Sequence, residues 1–273
     1  MQLTRRQVLG TIGIGTLGAG GLAVGRGRPT YTHYAYAASD DLDDRRVRVA
    51  WYERYNGAFQ ESQGGTDAVT LDEAVDPETE PTYVTDATYV TDASGPVITV
   101  GNVMPGDRGT LVVGLEAVDD GDFIAEPVDV WLQGAVTADD EHGIVGPETA
   151  AGDTTTDTGE LDDELLVELW RDGSPLGSCN GRKEFDEQLE GPLVPRAPLS
   201  VAFGGASDAG STSGLLALSG LSPGESRCLA LAWEFPFDAA TNRSQGDGVA
   251  FDVRFGAVPA GEASPFATAT GDA

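Results

Sequence analysis

Arg46-Val47-Arg48-Val49-Ala50-Trp51 is the stretch that decides the fold class. Apolar Val47, Val49 and Trp51 alternate with Arg46, Arg48 and Ala50, the period-two pattern of a strand that turns one face to a core. Working outward, strand-like runs recur at 83–90, 97–100, 109–118 and 128–136, then at 165–170, 197–203, 213–218, 228–235 and 248–255. Ser94-Gly95-Pro96 and Pro105-Gly106-Asp107 mark turns between them. Many short strands separated by Gly, Pro and Asp turns predict an all-β chain, a jelly-roll-like β-sandwich of antiparallel strands. Helical periodicity is confined to two short turns, 158–163 and 183–189. Asp139 to Asp157, acidic and rich in Thr and Gly, reads as a long exposed loop. The expected layout is a signal segment at 1–37, N-terminal strands with a duplicated hairpin segment at 38–95, the sandwich core at 96–258 in one domain with it, and a disordered tail at 259–273. The duplication is Thr82-Tyr83-Val84-Thr85-Asp86-Ala87 followed at once by Thr88-Tyr89-Val90-Thr91-Asp92-Ala93. A period of six is too short for a solenoid unit, so it lengthens one hairpin.

The charge balance narrows the class of partner. The chain has 45 acidic and 16 basic residues and a net charge of −29; without the first 37 residues, which hold four arginines and no acid, it is −33. Such a surface repels phosphate backbones and anionic lipid, which excludes nucleic acid as a partner and leaves a membrane only through an uncleaved signal segment. At molar salt the Debye length is about 3 Å, so the self-repulsion is relieved. Lys183 is the single lysine against 15 arginines. Together these features indicate a halophilic protein, the alternative being an acidic secreted protein of ordinary salinity.

Thr4-Arg5-Arg6-Gln7-Val8-Leu9 sets the arginine pair Arg5 and Arg6 before a weakly apolar stretch of small residues, a twin-arginine export pattern. Ala35-Tyr36-Ala37 is a small-x-small cleavage site, with retention as an uncleaved anchor the alternative. The expected location is extracellular or on the cell surface. Cys179 and Cys228 both fall in the exported part and are a candidate disulfide, closing a loop of about 50 residues worth about 4 kcal/mol by chain entropy; two unpaired buried thiols are the other reading.

Catalytic devices are scarce. With His33 in the leader, His142 is the remaining histidine, and it sits in Asp139-Asp140-Glu141-His142-Gly143 beside no nucleophile motif. It reads as a solvated loop residue, and no catalytic residue or bound cofactor is expected. Asp153, Asp157 and Glu160 could gather oxygens for calcium, although their spacing lacks the glycine of an EF-hand loop and solvation accounts for them first. Asn242-Arg243-Ser244 is an acceptor pattern that makes Asn242 a glycosylation candidate. Trp51, Trp131, Trp170 and Trp233 lie in strand-like runs and read as core anchors rather than a sugar platform.

Several motifs are shared with a known family. Gly101-Asn102-Val103-Met104-Pro105-Gly106-Asp107, Gly159-Glu160-Leu161 and Trp170-Arg171-Asp172 are its weaker landmarks; Leu231-Ala232-Trp233-Glu234-Phe235-Pro236, Asn242, Gln245-Gly246-Asp247 and Val249-Ala250-Phe251-Asp252-Val253-Arg254-Phe255 are more specific. In these the chain resembles the haloarchaeal branch of the TasA/camelysin-like, "SipW-dependent-type" secreted proteins, from about Pro96 to Val258. The resemblance implies a jelly roll and extracellular fibres in which one subunit's N-terminal strand completes the next subunit's sheet. The candidate donor is 45–52, with Val47, Val49 and Trp51 as its inward residues, unless it pairs within its own sheet. The family's usual mature start is missing and the leader here is twin-arginine. Some camelysin members have been called metalloproteases, but the ligands for that are not in this chain. The expected function is a salt-adapted surface or matrix structural protein that self-associates into filaments. The alternatives are a module binding envelope glycan or S-layer, and a secreted hydrolase.

Overall fold

A computed structural model describes residues 31–39, 47–60, 84, 87–90, 93–118, 126–173, 179–238 and 240–267. They form an all-β sandwich of two sheets. The larger sheet contains β1 (His33–Tyr36), β2 (Val47–Tyr55), β3 (Ala58–Gln60), β4 (Thr88–Tyr89), β6 (Arg108–Ala117), β8 (Leu166–Arg171), β9 (Val194–Pro198) and β11 (Ser226–Glu234). Its order is β4-β1-β2-β6-β11-β8-β9, with β3 hairpinned onto β2. The smaller sheet is β10-β7-β12-β5, from β5 (Val97–Gly101), β7 (Val128–Asp140), β10 (Leu215–Leu221) and β12 (Gly248–Pro259). Neighbours are antiparallel except β1 and β4, which run parallel. Between the sheets lies one apolar core to which Val49, Leu115, Leu132, Leu229, Phe251 and Phe255 each contribute a side chain with no exposed surface. Each such side chain stabilises the fold by roughly 1.5–3 kcal/mol.

The alternation read at 46–51 is present, but the strand is not half-buried. Val47, Val49 and Trp51 face the sandwich core, while Ala50 and Tyr52 enter a second cluster on the outer face of the large sheet with Tyr31, Tyr34, Tyr89 and Val112. Gly114 makes room for this layer, since a Cβ there would lie 2.1 Å from the Tyr31 hydroxyl. Arg48 is also covered and is neutralised by Glu116 at 2.7 Å. Of the two readings of this strand, the structure has it paired within its own sheet: β2 is hydrogen-bonded to β1 and β3 on one side and β6 on the other, so Val47, Val49 and Trp51 complete their own sheet.

The domain boundary at 37/38 is corrected too. Tyr34 and Ala35 are 1% and 0% exposed in β1, and Ala38 bridges to Gly256 of the other sheet through Ala38 N–H to Phe255 O and Ala257 N–H to Ala38 O. A cut after Ala37 would therefore remove β1 from the large sheet and leave the bridging Ala38 at the new terminus. Three local readings change as well. The run at 197–203 is the end of β9 followed by a helical turn, because Pro198 ends the strand pairing. The segment 139–157 contains the end of β7 and a helix. The tail packs as far as 267, with Ser264 buried and Pro265 against Gly256. Of the duplicated hairpin, the second copy supplies β4, parallel to β1; most of the first copy, like Arg5 and Arg6, lies outside the described residues.

Cys179 and Cys228 form a disulfide, with Cα atoms 5.7 Å apart, that ties the segment after β8 to β11. The Tyr52 hydroxyl donates to the Cys179 carbonyl at 3.0 Å, so the bridge also closes the outer tyrosine layer. Reduction, or Cys228→Ser, is expected to lower unfolding free energy by up to about 4 kcal/mol, measured by denaturant titration in molar NaCl with and without reductant. A chain beginning at Ala38 is expected to melt well below one beginning at Arg26; equal melting temperatures would show that β1 contributes nothing to stability.

Candidate metal centre

Segments far apart in sequence meet at one end of the small sheet. β7 and β12 pair with Asp140 opposite Gly248, so Glu141, just after β7, and Asp247, just before β12, leave the sheet together. The chain then turns through His142 and Gly143, both at positive φ, into helix α1 (Gly146–Ala151). Pro147 in its first turn suits a position whose N–H has no helical partner. Glu148 folds back to accept from the Val145 N–H and is fully buried. Gly152, in the left-handed region at φ 88°, ends α1 and returns the chain so that Asp153 is buried. Glu160 precedes helix α2 (Leu161–Glu164). Gly159 permits the close approach there, because a Cβ on it would lie 2.9 Å from Asp247 Oδ2.

Two ligand-like sets result. Glu141, Glu148 and Asp247 each place a carboxylate oxygen within 4.8 Å of the others, and Glu141, Asp153 and Glu160 do the same. Four of the five carboxylates are fixed by one oxygen only. Glu148 Oε2 accepts from Val145 N–H, and Asp153 Oδ1 from Thr155 N–H at 2.9 Å and Oγ1 at 2.8 Å. Glu160 Oε1 accepts from Thr155 Oγ1 at 2.8 Å and Arg243 at 3.1 Å, and Asp247 Oδ2 from Glu160 N–H at 2.8 Å. The second oxygen of each, and both oxygens of Glu141, are buried and receive no N–H or hydroxyl donor; the Asp247 and Glu141 carboxyls can bond to one another only by sharing a proton.

Electrostatics reflects the crowding. Burial and the charges of Asp247, Glu148, Asp153 and Glu160 push Glu141 up to about 7. Burial and the surrounding acids push neighbouring Asp139 up to about 7. Asp247 rises to about 6, again mainly by burial, against the pull of the Glu160 N–H. Asp153 is lowered by the Thr155 N–H and hydroxyl. Among the described residues Arg243 is the cation bonded to this group, through Glu160, and its charge also lowers Asp153. Chemically the arrangement can hold protons or an oxygen-seeking cation.

Of the three calcium candidates read from sequence, the structure brings Asp153 and Glu160 together and leaves Asp157 exposed outside the group. Glu141, Glu148 and Asp247 were missed. The usable signals were Gly146-Pro147-Glu148, a helix start with an inward acid, and Gln245-Gly246-Asp247 at the head of a strand. His142 is exposed, and its Nδ1 lies 3.2 Å from the Asp140 carbonyl. His33 is in β1, stacked on Trp51. Asn242 opens an exposed 3₁₀ turn (Asn242–Ser244) in which Ser244 is buried and donates to Glu164 at 2.6 Å. Trp51, Trp170 and Trp233 are buried, and Trp131 is half-buried.

No family model, no curated protein and no solved structure matches the chain.

A separate buried acid gives a pH test. Asp172 follows β8; its Oδ2 accepts from Gly181 N–H at 2.7 Å, its Oδ1 has no partner, and burial pushes it from 3.8 up to about 7. The unfolded chain releases this proton near 3.8 and the folded chain near 7, so the group leaves stability intact at low pH and lowers it progressively as pH rises between those values. Asp172→Asn keeps the acceptor and removes the charge. Its stability relative to the unsubstituted protein is expected to improve from pH 5 to pH 8 in urea titrations; a pH-independent difference would refute this.

Proposed function

We propose that this chain is an exported, salt-adapted structural protein of the cell surface or extracellular matrix, joined to its own copies by strand addition at β5. The observation that carries the reading is the condition of the sheet edges. β9 contains Pro195 and Pro198, β10 is broken by two register shifts, and β4 is two residues long; all three are poor templates for a further strand. β5 is regular, contains no proline, and is bonded only to β12 among the described residues.

Beside β5 the sandwich is open along a crevice lined by Tyr55, Ile98, Val100, Val103, Leu111 and Trp233, which suits alternate apolar side chains of an added strand. The Arg5-Arg6 leader, the disulfide and the acidic surface fit an oxidising, saline exterior. The histidines are engaged locally, His33 on Trp51 and His142 with its own turn, which favours structural over hydrolytic roles.

Val253 donates to Pro96 O, so the alternation of an antiparallel ladder turns the Thr99 N–H to the free edge. The protein is expected to form concentration-dependent polymers in molar NaCl, seen by light scattering and electron microscopy. Thr99→Pro should suppress them without unfolding the domain. Monomers at every protein and salt concentration would defeat the reading.

A further inference from the structure

We propose that the carboxylates at the β7/β12 end form a calcium site, with Glu141 shared between the Glu148–Asp247 and Asp153–Glu160 ligand sets. An acidic group on a surface this rich in acids would mean little by itself. The decisive observation is burial without partners. Glu141, Glu148, Asp153 and Asp247 are 4%, 0%, 2% and 1% exposed, yet Glu141 Oε1 and Oε2, Glu148 Oε1, Asp153 Oδ2 and Asp247 Oδ1 accept no hydrogen bond; nor does Glu160 Oε2. A buried polar atom without a partner is strongly unfavourable, and a buried charge more so. Here six such oxygens are grouped, and the other oxygen of each singly held carboxylate is anchored by an N–H, hydroxyl or guanidinium. That is the division of labour of a metal ligand and its supporting partner.

The chemistry selects the ion. The ligand atoms are all carboxylate oxygens, with no thiolate, and the adjacent imidazole of His142 is turned to the Asp140 carbonyl. This favours a hard cation over zinc or copper. Calcium accepts six to eight oxygens at roughly 2.3–2.6 Å, so carboxylate oxygens that lie within 4.8 Å of one another can share one such ion. Magnesium demands a tighter octahedron and keeps its waters, which suits a group of five carboxylates, four of them buried, less well. Because the ligands come from the end of β7, α1, the turn before α2 and the head of β12, a bound ion would clamp the segment 141–160 onto the small sheet.

The full-length chain, stripped with chelator and dialysed into molar NaCl, is titrated with calcium chloride by calorimetry, and its melting temperature followed. One or two ions per chain should bind saturably and raise the melting temperature. Glu141→Gln is expected to weaken binding by roughly tenfold to a hundredfold. Asp247→Asn tests the same point if the first variant fails to fold, and Asp157→Asn should bind as the unsubstituted protein does. Absence of heat and of any melting shift would overturn the proposal. So would equal binding by all three variants, which marks diffuse condensation on the acidic surface, or an equal shift produced by magnesium.

Discussion

The pairing of β7 with β12 is the constraint on which the rest of the molecule depends. It runs unbroken in partnership from Val128↔Pro259 to Asp140↔Gly248, with one register shift between Ala250 and Phe251, and it forms the centre of the small sheet. Its inward side chains, Val130, Leu132, Phe251, Val253 and Phe255, supply much of the sandwich core. Because side chains alternate faces, slipping the pair by one residue would turn these residues outward and replace them with Asp129, Arg254 and Asp252. The same register decides what meets at the two ends of the ladder.

Those ends show two solutions to burying a carboxylate. Asp129, at the start of β7, accepts from Gly220 N–H on one oxygen and Gly261 N–H on the other, both at 2.8 Å. Burial pushes it up, but these N–H groups and the Ser219 hydroxyl more than offset that and hold it below its ordinary value, so it is stable as an anion. Glu141, at the other end, has neither oxygen satisfied and is pushed up to about 7. The backbone at the first end donates to both oxygens; at the second it donates to one oxygen each of Glu148, Asp153 and Asp247 and to neither oxygen of Glu141. A fold that satisfies Asp129 so fully has no geometric difficulty in supplying donors, which makes their absence around Glu141 a property of that site.

Much of the fold was legible because apolar alternation is read against a polar background. β5, β6, β8, β11 and β12 lie where the pattern puts them, and the short helical turns near 160 and 186 are present. Legibility failed where one residue faces two demands. Ala50 looked like the solvent side of β2, and nothing local shows that it joins Tyr52 beneath Tyr31, Tyr34 and Tyr89. Val201 and Phe203 carry strand propensity, but Pro198 removes the ladder donor and the chain turns into a helix. The carboxylate group was half legible for a different reason. With 45 acids in the chain, spacing could suggest Asp153 and Glu160, yet Glu141, Glu148 and Asp247 become distinctive only once burial separates them from solvated neighbours.

Salt acts differently on these two populations of acid. Exposed carboxylates repel through water, and molar salt, with a Debye length of about 3 Å, removes most of that repulsion. The group around Glu141 repels across protein, where the effective dielectric is low and the diffuse screening of bulk salt acts only weakly. High salinity therefore lets the surface charge be as large as it is without relieving the buried group. A buried group of this kind needs either protons or a cation lodged within it. Protons offset the repulsion only below the raised pKa values of Asp139 and Glu141, near 7, and above that range the proposed calcium would take over that role.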